Sequence, residues 1–387
     1  MMLILNDIKP ETLIRRGDEK WSSHPENIIP VDSSDIDYPV CDSIKEALLS
    51  TVSLSGLGYP LETDELATLL SKRMAKRYGI VYETENIVFT SDVMQAIYIC
   101  IETNTAPGDS VIVFSPQYPP LKQAIEELGR KTIEVPLLTI DGKYIVDVNS
   151  LKRHAPMCRA LLICHPHNPT GHVMTSTEMN AVAEIAIEHD LLILSDEVHQ
   201  EFIWSDYGYI PMACSFSAIE DRVISVTSTS KSFGLAGLGC AAVMSRNSGL
   251  INRFRLYPRR LRGRISRLAL LAAQCAWSGR SDIWLSCIKR QLMENRRLLL
   301  DFVGGNSDID MIPPQGTYFA WINLSKLEFN NEAYLWLKDN AHVAARRGAD
   351  FGVLGSDYIR INFATSPRIL MDVLSQFQLA LNTYRLR

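Results

Sequence analysis

Residues 160–199 read ALLICHPHNPTGHVMTSTEMNAVAEIAIEHDLLILSDEVH. Two short, wholly apolar runs, Ala160–Cys164 and Leu191–Ser195, flank Thr177–His189, where apolar residues recur at helical spacing. Strands apolar on both faces belong inside a sheet covered on both sides. Where helices separate such strands, the sheet is mainly parallel. The alternation continues outward in both directions. Ile87–Thr90, Val111–Phe114, Val223–Val226 and Cys240–Met244 read as further strands, and Val93–Thr103 and Tyr118–Leu128 as helices. Leu250–Val303 is long and helix-rich. A second, smaller pattern follows, with strands at Tyr318–Ile322 and Tyr358–Phe363 and an amphipathic helix from Pro367 onward. The fold class is therefore α/β: a large, doubly wound, mainly parallel sheet domain followed by a smaller α+β C-terminal domain. The expected division is an N-terminal segment 1–50, a large domain 51–280 and a small domain 281–387.

A chain of 387 residues can bury a large core. Its net charge of −5 argues against a general nucleic-acid binder. No apolar run reaches the roughly 20 residues that span a bilayer. The apolar start MMLILND is too short for a signal segment, so a cytoplasmic location is expected. The eight cysteines are scattered without a C-x-x-C pair, which reads as reduced, mostly buried thiols.

Ligands in open α/β sheets sit at the carboxyl ends of the strands. Four polar clusters fall there. Ser91-Asp92-Val93-Met94 opens a helix, where free N–H groups suit a phosphate; alternatively, Ser91 or Asp92 is only a cap. Asn168-Pro169-Thr170-Gly171 is a turn whose Asn can donate to a ligand oxygen. Its neighbours His165, His167 and His172 lack the helical spacing or cysteine partners of a metal site. Asp196, in Ser195-Asp196-Glu197, can pair with a cationic ring or cap the next turn; His199, just beyond, reads equally as structural or as lying beside the site. Lys231, in Ser228-Thr229-Ser230-Lys231, can become a nucleophile toward a carbonyl if its pKa is lowered, or it is a solvated loop lysine.

The order of these clusters resembles the fold-type I pyridoxal-phosphate (PLP) enzymes. Together with Lys20-Trp21, Asp35-Ile36-Asp37-Tyr38, Gly58-Tyr59, Pro314-Gln315-Gly316-Thr317-Tyr318 and Arg360-Ile361-Asn362-Phe363, the set is similar to the MalY/PatB branch. These are cystathionine β-lyase-like C–S lyases within the class I/II aminotransferase superfamily. The resemblance implies PLP held by Lys231 as a Schiff base, with the same lysine later acting as base on Cα. It implies Asp196 at the pyridine nitrogen, Asn168 at the phenolic oxygen and Tyr118 stacked on the ring. The implied phosphate cradle comprises Asp92, Val93, Met94, Ser228 and Ser230, with Tyr59 reaching across to the neighbouring subunit of a homodimer. Arg360 would grip the substrate carboxylate, and Tyr59 would also contact the substrate. The implied activity is C–S β-elimination from an amino acid, with transamination or another PLP reaction as alternatives. A role confined to regulation would be marked by loss of Lys231 or Asp196, and both are present.

The chain departs from that pattern in several places. Asp92 stands where the phosphate turn usually has Gly, an unfavourable charge unless the side chain caps the helix. His172, Gly234 and Gln315 replace the commoner Arg, Asn and Glu. Gly239 replaces the Arg that aminotransferases often carry eight positions after the lysine, which tilts the reading toward the lyase. The Arg-rich stretch 253–267 is either a solvated helix face or a segment whose Arg262 and Arg264 reach a partner's site.

Overall fold

The computed structural model describes residues 8–54, 56–60, 62–204, 206–329 and 332–386. The start MMLILND therefore lies outside the described residues. Among the described residues, no helix is long and apolar enough to cross a membrane.

An eight-stranded sheet forms the centre. Its order is Ile87–Thr90, Ala241–Met244, Val223–Ser228, Leu192–Asp196, Ala160–Cys164, Ser110–Ser115, Lys131–Ile140, Lys143–Val146. The five strands from Val223–Ser228 to Lys131–Ile140 run parallel, as the continuous apolar runs predict. Ala241–Met244 is antiparallel to both of its neighbours. Two apolar clusters cover the faces. One includes Ile112, Leu161, Ile163 and Ile193, and the other includes Val111, Val113, Leu162 and Leu194. Successive side chains of each strand thus enter opposite cores. At about 25 cal/mol per Å² of apolar surface, each such Leu or Ile contributes roughly 1.5–3 kcal/mol.

The hairpin Lys131–Val146 was absent from the strands expected above. Pro136 argues against a central strand. Here it stands where the pairing changes hands, opposite Ser115, just before Leu137 begins to pair with Val146. Asp141 and Gly142 close the hairpin with φ of 50° and 70°, the left-handed pair that a two-residue turn requires. Other boundaries move by one or two residues: the strand read as Leu191–Ser195 is Leu192–Asp196, and Tyr318–Ile322 is Phe319–Asn323.

A four-stranded antiparallel sheet follows, in the order Asp310–Met311, Phe319–Asn323, Tyr358–Asn362, Arg346–Arg347. Arg360 lies directly opposite both Trp321 and Arg346. The last helix, Pro367–Arg385, buries Ile369, Leu370, Val373, Leu374, Phe377, Ala380 and Leu381, one face at helical spacing.

The N-terminal segment packs on the C-terminal part. Ile29–Pro30 pairs in parallel with Val343–Ala344, and Asp37 N–H donates to Ala364 C=O at 2.9 Å. Lys20 and Trp21 both donate to Asp37 Oδ1, at 2.9 and 2.8 Å. A further buried network fixes the chain just beyond Asp196. Arg73 reaches Glu201 at 2.7 Å and Asp282 at 2.8 Å, and Arg77 joins both carboxylates.

Candidate active site

The four clusters meet. Ser91, Asp92, Val93, Met94, Tyr118, Asn168, Asp196, His199, Ser228, Ser230 and Lys231 line one cavity of about 180 Å³ at the carboxyl ends of the strands. A second chamber of about 410 Å³ adjoins it, sharing Ser34 and Tyr118 and lined by His24, Asp32, Arg346 and Arg360.

At one end of the first cavity the helix Val93–Asn104 begins. Asp92 Oδ1 accepts the Gln95 N–H at 2.8 Å and Asp92 C=O accepts that of Ala96. Asp92 is thus the helix cap, which resolves the objection to an acid in this turn. The N–H groups of Val93 and Met94, at the helix start, have no intrahelical acceptor. Ser228 caps the short helix Thr229–Ser232, accepting Ser230 N–H at 3.0 Å and donating to Cys240 C=O at 2.8 Å. Gly239 holds the two turns together. Its φ is +64°, and a Cβ there would lie 2.5 Å from Ser91 C=O, so only glycine fits.

Asp196 and Lys231 both line this cavity. Asp196 accepts from Val198 N–H at 3.2 Å. Burial nevertheless pushes its carboxyl up to about 6, against the pull of that bond and of Lys231. Burial also lowers the pKa of Lys231, with Arg360 adding to the effect and Asp35 and Asp196 opposing it. Burial drives His199 well below its usual value and Lys231 and Arg360 reinforce this, so its ring is neutral. The ring packs edge-on against Tyr318 and Phe319, and its Nδ1 is buried without a partner.

Arg360 is buried, with its guanidinium 4.1 Å over the Phe319 ring. It donates to Asn168 Oδ1 at 3.0 Å and Asp32 C=O at 2.8 Å, and its Nε has no partner. All of these partners are neutral, so the cation is left to meet an anion in the chamber. Because Asn168 Oδ1 accepts from Arg360, the NH₂ group is the end of this amide left to donate.

These residues fit PLP: free N–H groups and hydroxyls for its phosphate, a buried acid lacking a cation for its ring nitrogen, and a lysine driven toward the neutral amine for its aldehyde. The three turn histidines are committed elsewhere. His165 Nε2 accepts from Met174 N–H, His167 bonds Thr170, and His172 joins Gln315 and Glu178. Tyr59 is not part of this cavity. It is 90% exposed, and lines a separate surface cavity with Arg259, Arg260 and Arg264. Arg262 and Arg264 border a further cavity beside Gln95, away from the lysine. Sequence reading missed Ser34, Asp32, His24 and Arg346. They lie in loops and a two-residue strand with no local signature.

The relatives of this chain share one family and include both lyases and aminotransferases. The family model described as aminotransferase class I and II matches residues 26–376. A cystathionine β-lyase from Corynebacterium glutamicum is 28% identical, over 94% of this chain and 96% of that protein. Cystathionine β-lyase PatB from Bacillus subtilis is 25% identical, over 98% and 100%. Among solved structures, cystalysin from Treponema denticola, which contains pyridoxal 5′-phosphate, superposes with a TM-score of 0.92 at 27% identity, over 98% of each chain.

Proposed function

From its place in the class I and II aminotransferase family, as a PLP enzyme of the cystathionine β-lyase-like branch to which the chain belongs, we propose that it is a C–S β-lyase. Its substrate is a cysteine-S-conjugate or cystathionine-like amino acid, and its products are a thiol, pyruvate and ammonia. PLP, when bound, supplies an electron-withdrawing ring that lets Cα of an amino acid release its proton. Lys231 would hold the cofactor, and its amine, when free, would take that proton. Asp196 would keep the ring nitrogen protonated, and Asn168 would donate to the phenolic oxygen. Tyr118 covers the ring face and bounds the second chamber. Val93, Met94, Ser228 and Ser230 hold the phosphate, with Asp92 fixing their turn. Arg360 pairs with the α-carboxylate.

The observation that carries elimination is the second chamber. It opens beside Arg360 and offers about 410 Å³ for the group leaving Cβ. Its lining mixes Asp32 and Glu19 with Lys20, His24 and Arg346, which suits a polar leaving group. Transamination is the second reading, favoured by the family description. L-cystathionine added to the PLP-loaded enzyme decides between them. Thiol and pyruvate in equal amounts support elimination; a 2-oxo acid that retains the sulfur would sink it. Arg360→Lys is expected to raise KM about 10- to 100-fold with a smaller change in kcat, because a point charge replaces a two-pronged donor. Steady-state kinetics with the same substrate reads this out, and an unchanged KM removes Arg360 from substrate binding.

The proposed assembly is a homodimer in which Tyr59 serves the partner's site. Leu49, Val52, Leu54, Leu57 and Tyr59 are all exposed within one short stretch, and such an apolar patch calls for a cover. Light scattering is expected to report twice the 43.5 kDa chain mass, and a monomer would rule the arrangement out. The expected division at residues 50 and 280 fits a central sheet confined to 87–244, and is proposed with it.

A further inference from the structure

The loop Asp32–Asp35 enters the site from the far end of the chain, and its backbone is held at every residue. Arg360 donates to Asp32 C=O at 2.8 Å and Tyr318 O–H to Ser34 C=O at 2.7 Å. Asn362 Nδ2 donates to Ser33 C=O at 2.9 Å and Asp35 C=O at 2.7 Å. The Ser34 backbone is therefore held in place, and its hydroxyl accepts from Lys231 Nζ at 2.6 Å. Ser34 is also one of the two residues that border both chambers. It thus touches the base on one side and the space for the leaving group on the other.

We propose that Ser34 relays a proton from Lys231 to the departing sulfur. The inference rests on the β-lyase reading. The chemistry favours such a path: a thiol has a pKa near 8.5, so an alkyl thiolate leaves more readily if it is protonated as it goes. In the step, the Cα–H bond breaks and its proton passes to the Lys231 amine. The Cα electron pair forms the Cα–Cβ double bond, and the Cβ–S bond breaks with its pair on sulfur. The Lys231 ammonium gives a proton to Ser34 Oγ while the Ser34 O–H proton passes to sulfur. The amine and the hydroxyl are restored, a neutral thiol departs, and no oxidant or reductant takes part. The charged groups around Lys231 are Asp35 and Asp196, which hold a proton on it, and Arg360, which opposes them; His199 faces it as a neutral ring. On the chamber side stand Asp32, His24, Glu19, Lys20 and Arg346.

The test compares two substrates that differ in their need for that proton. Chloride leaving β-chloro-L-alanine needs none, whereas the alkyl thiolate of L-cystathionine does. In the PLP-loaded enzyme, Ser34→Ala is expected to lower kcat for cystathionine about 100-fold with KM within twofold, in line with the effect of one positioned proton donor. Its kcat for β-chloroalanine stays within about threefold on the same reasoning. Ser34→Thr, which keeps the hydroxyl, restores most of the loss. Independently of turnover, the pH midpoint of the bound cofactor's visible band moves down in Ser34→Ala, since an acceptor for the Lys231 N–H is gone. Equal slowing of both substrates, or a cystathionine rate that Ser34→Ala leaves intact, overturns the relay while the lyase reading stands. A wild type that releases pyruvate from neither substrate overturns both.

Discussion

Lys231→Ala protein, purified after expression with PLP supplied, is expected to lack the visible absorbance band of the wild type and to cleave L-cystathionine about 10⁴-fold more slowly. Two functions are lost together. The amine that holds the cofactor is gone, and so is the base that takes the Cα proton. The surroundings explain why this lysine can do both: burial and Arg360 drive it toward the neutral, nucleophilic amine. Alanine removes a buried amine without removing a structural ion pair, because the amine's partner is the Ser34 hydroxyl. The fold should survive, which a far-ultraviolet circular dichroism spectrum checks. A variant that keeps the band and the rate would refute the assignment of Lys231.

Asp196→Asn is expected to lower kcat about 10²- to 10³-fold, the usual cost of losing one aligned electrostatic group. The amide oxygen can still accept from Val198 N–H, so the turn is kept while the negative charge is lost. A neutral partner no longer holds a proton on the ring nitrogen, and the ring withdraws electrons less strongly. The same carboxylate gives the cofactor-free protein a pH signature. Its folded pKa, about 6, lies above the ordinary value of 3.8, so the folded state binds the proton more tightly than the unfolded chain. Stability from this group is therefore fullest below the unfolded pKa and falls as pH rises from about 4 to 6, by on the order of 3 kcal/mol. In Asp196→Asn that part of the slope disappears. Thermal unfolding of both cofactor-free proteins across this range measures it, and an unchanged slope would mean that the carboxyl is not held as described.

The parallel centre of the sheet was legible because each of its strands is apolar on both faces, and few other structures suit such runs. The site clusters were legible because each follows its strand directly. Lys131–Val146 was not, since Pro136 contradicts a strand until its change of partner is seen, although Asp141-Gly142 was a usable turn signal. Ser34 was illegible for a different reason. It meets Lys231 across 197 positions, from a loop with no regular pattern, and sequence spacing carries no information about such a contact. The second chamber is likewise built from the N-terminal loop, a helix start and the small sheet.

The pinning of Asp32–Asp35 by Tyr318, Arg360 and Asn362 also sets an order of events during synthesis. Every residue proposed to hold the cofactor within this chain has been made by Lys231, and the central sheet by Met244. The loop bearing Ser34 precedes them in sequence, yet its first backbone anchor is Tyr318 and its last is Asn362. The chamber proposed for the leaving group is therefore completed only once the small sheet is in place, after every residue proposed to hold the cofactor.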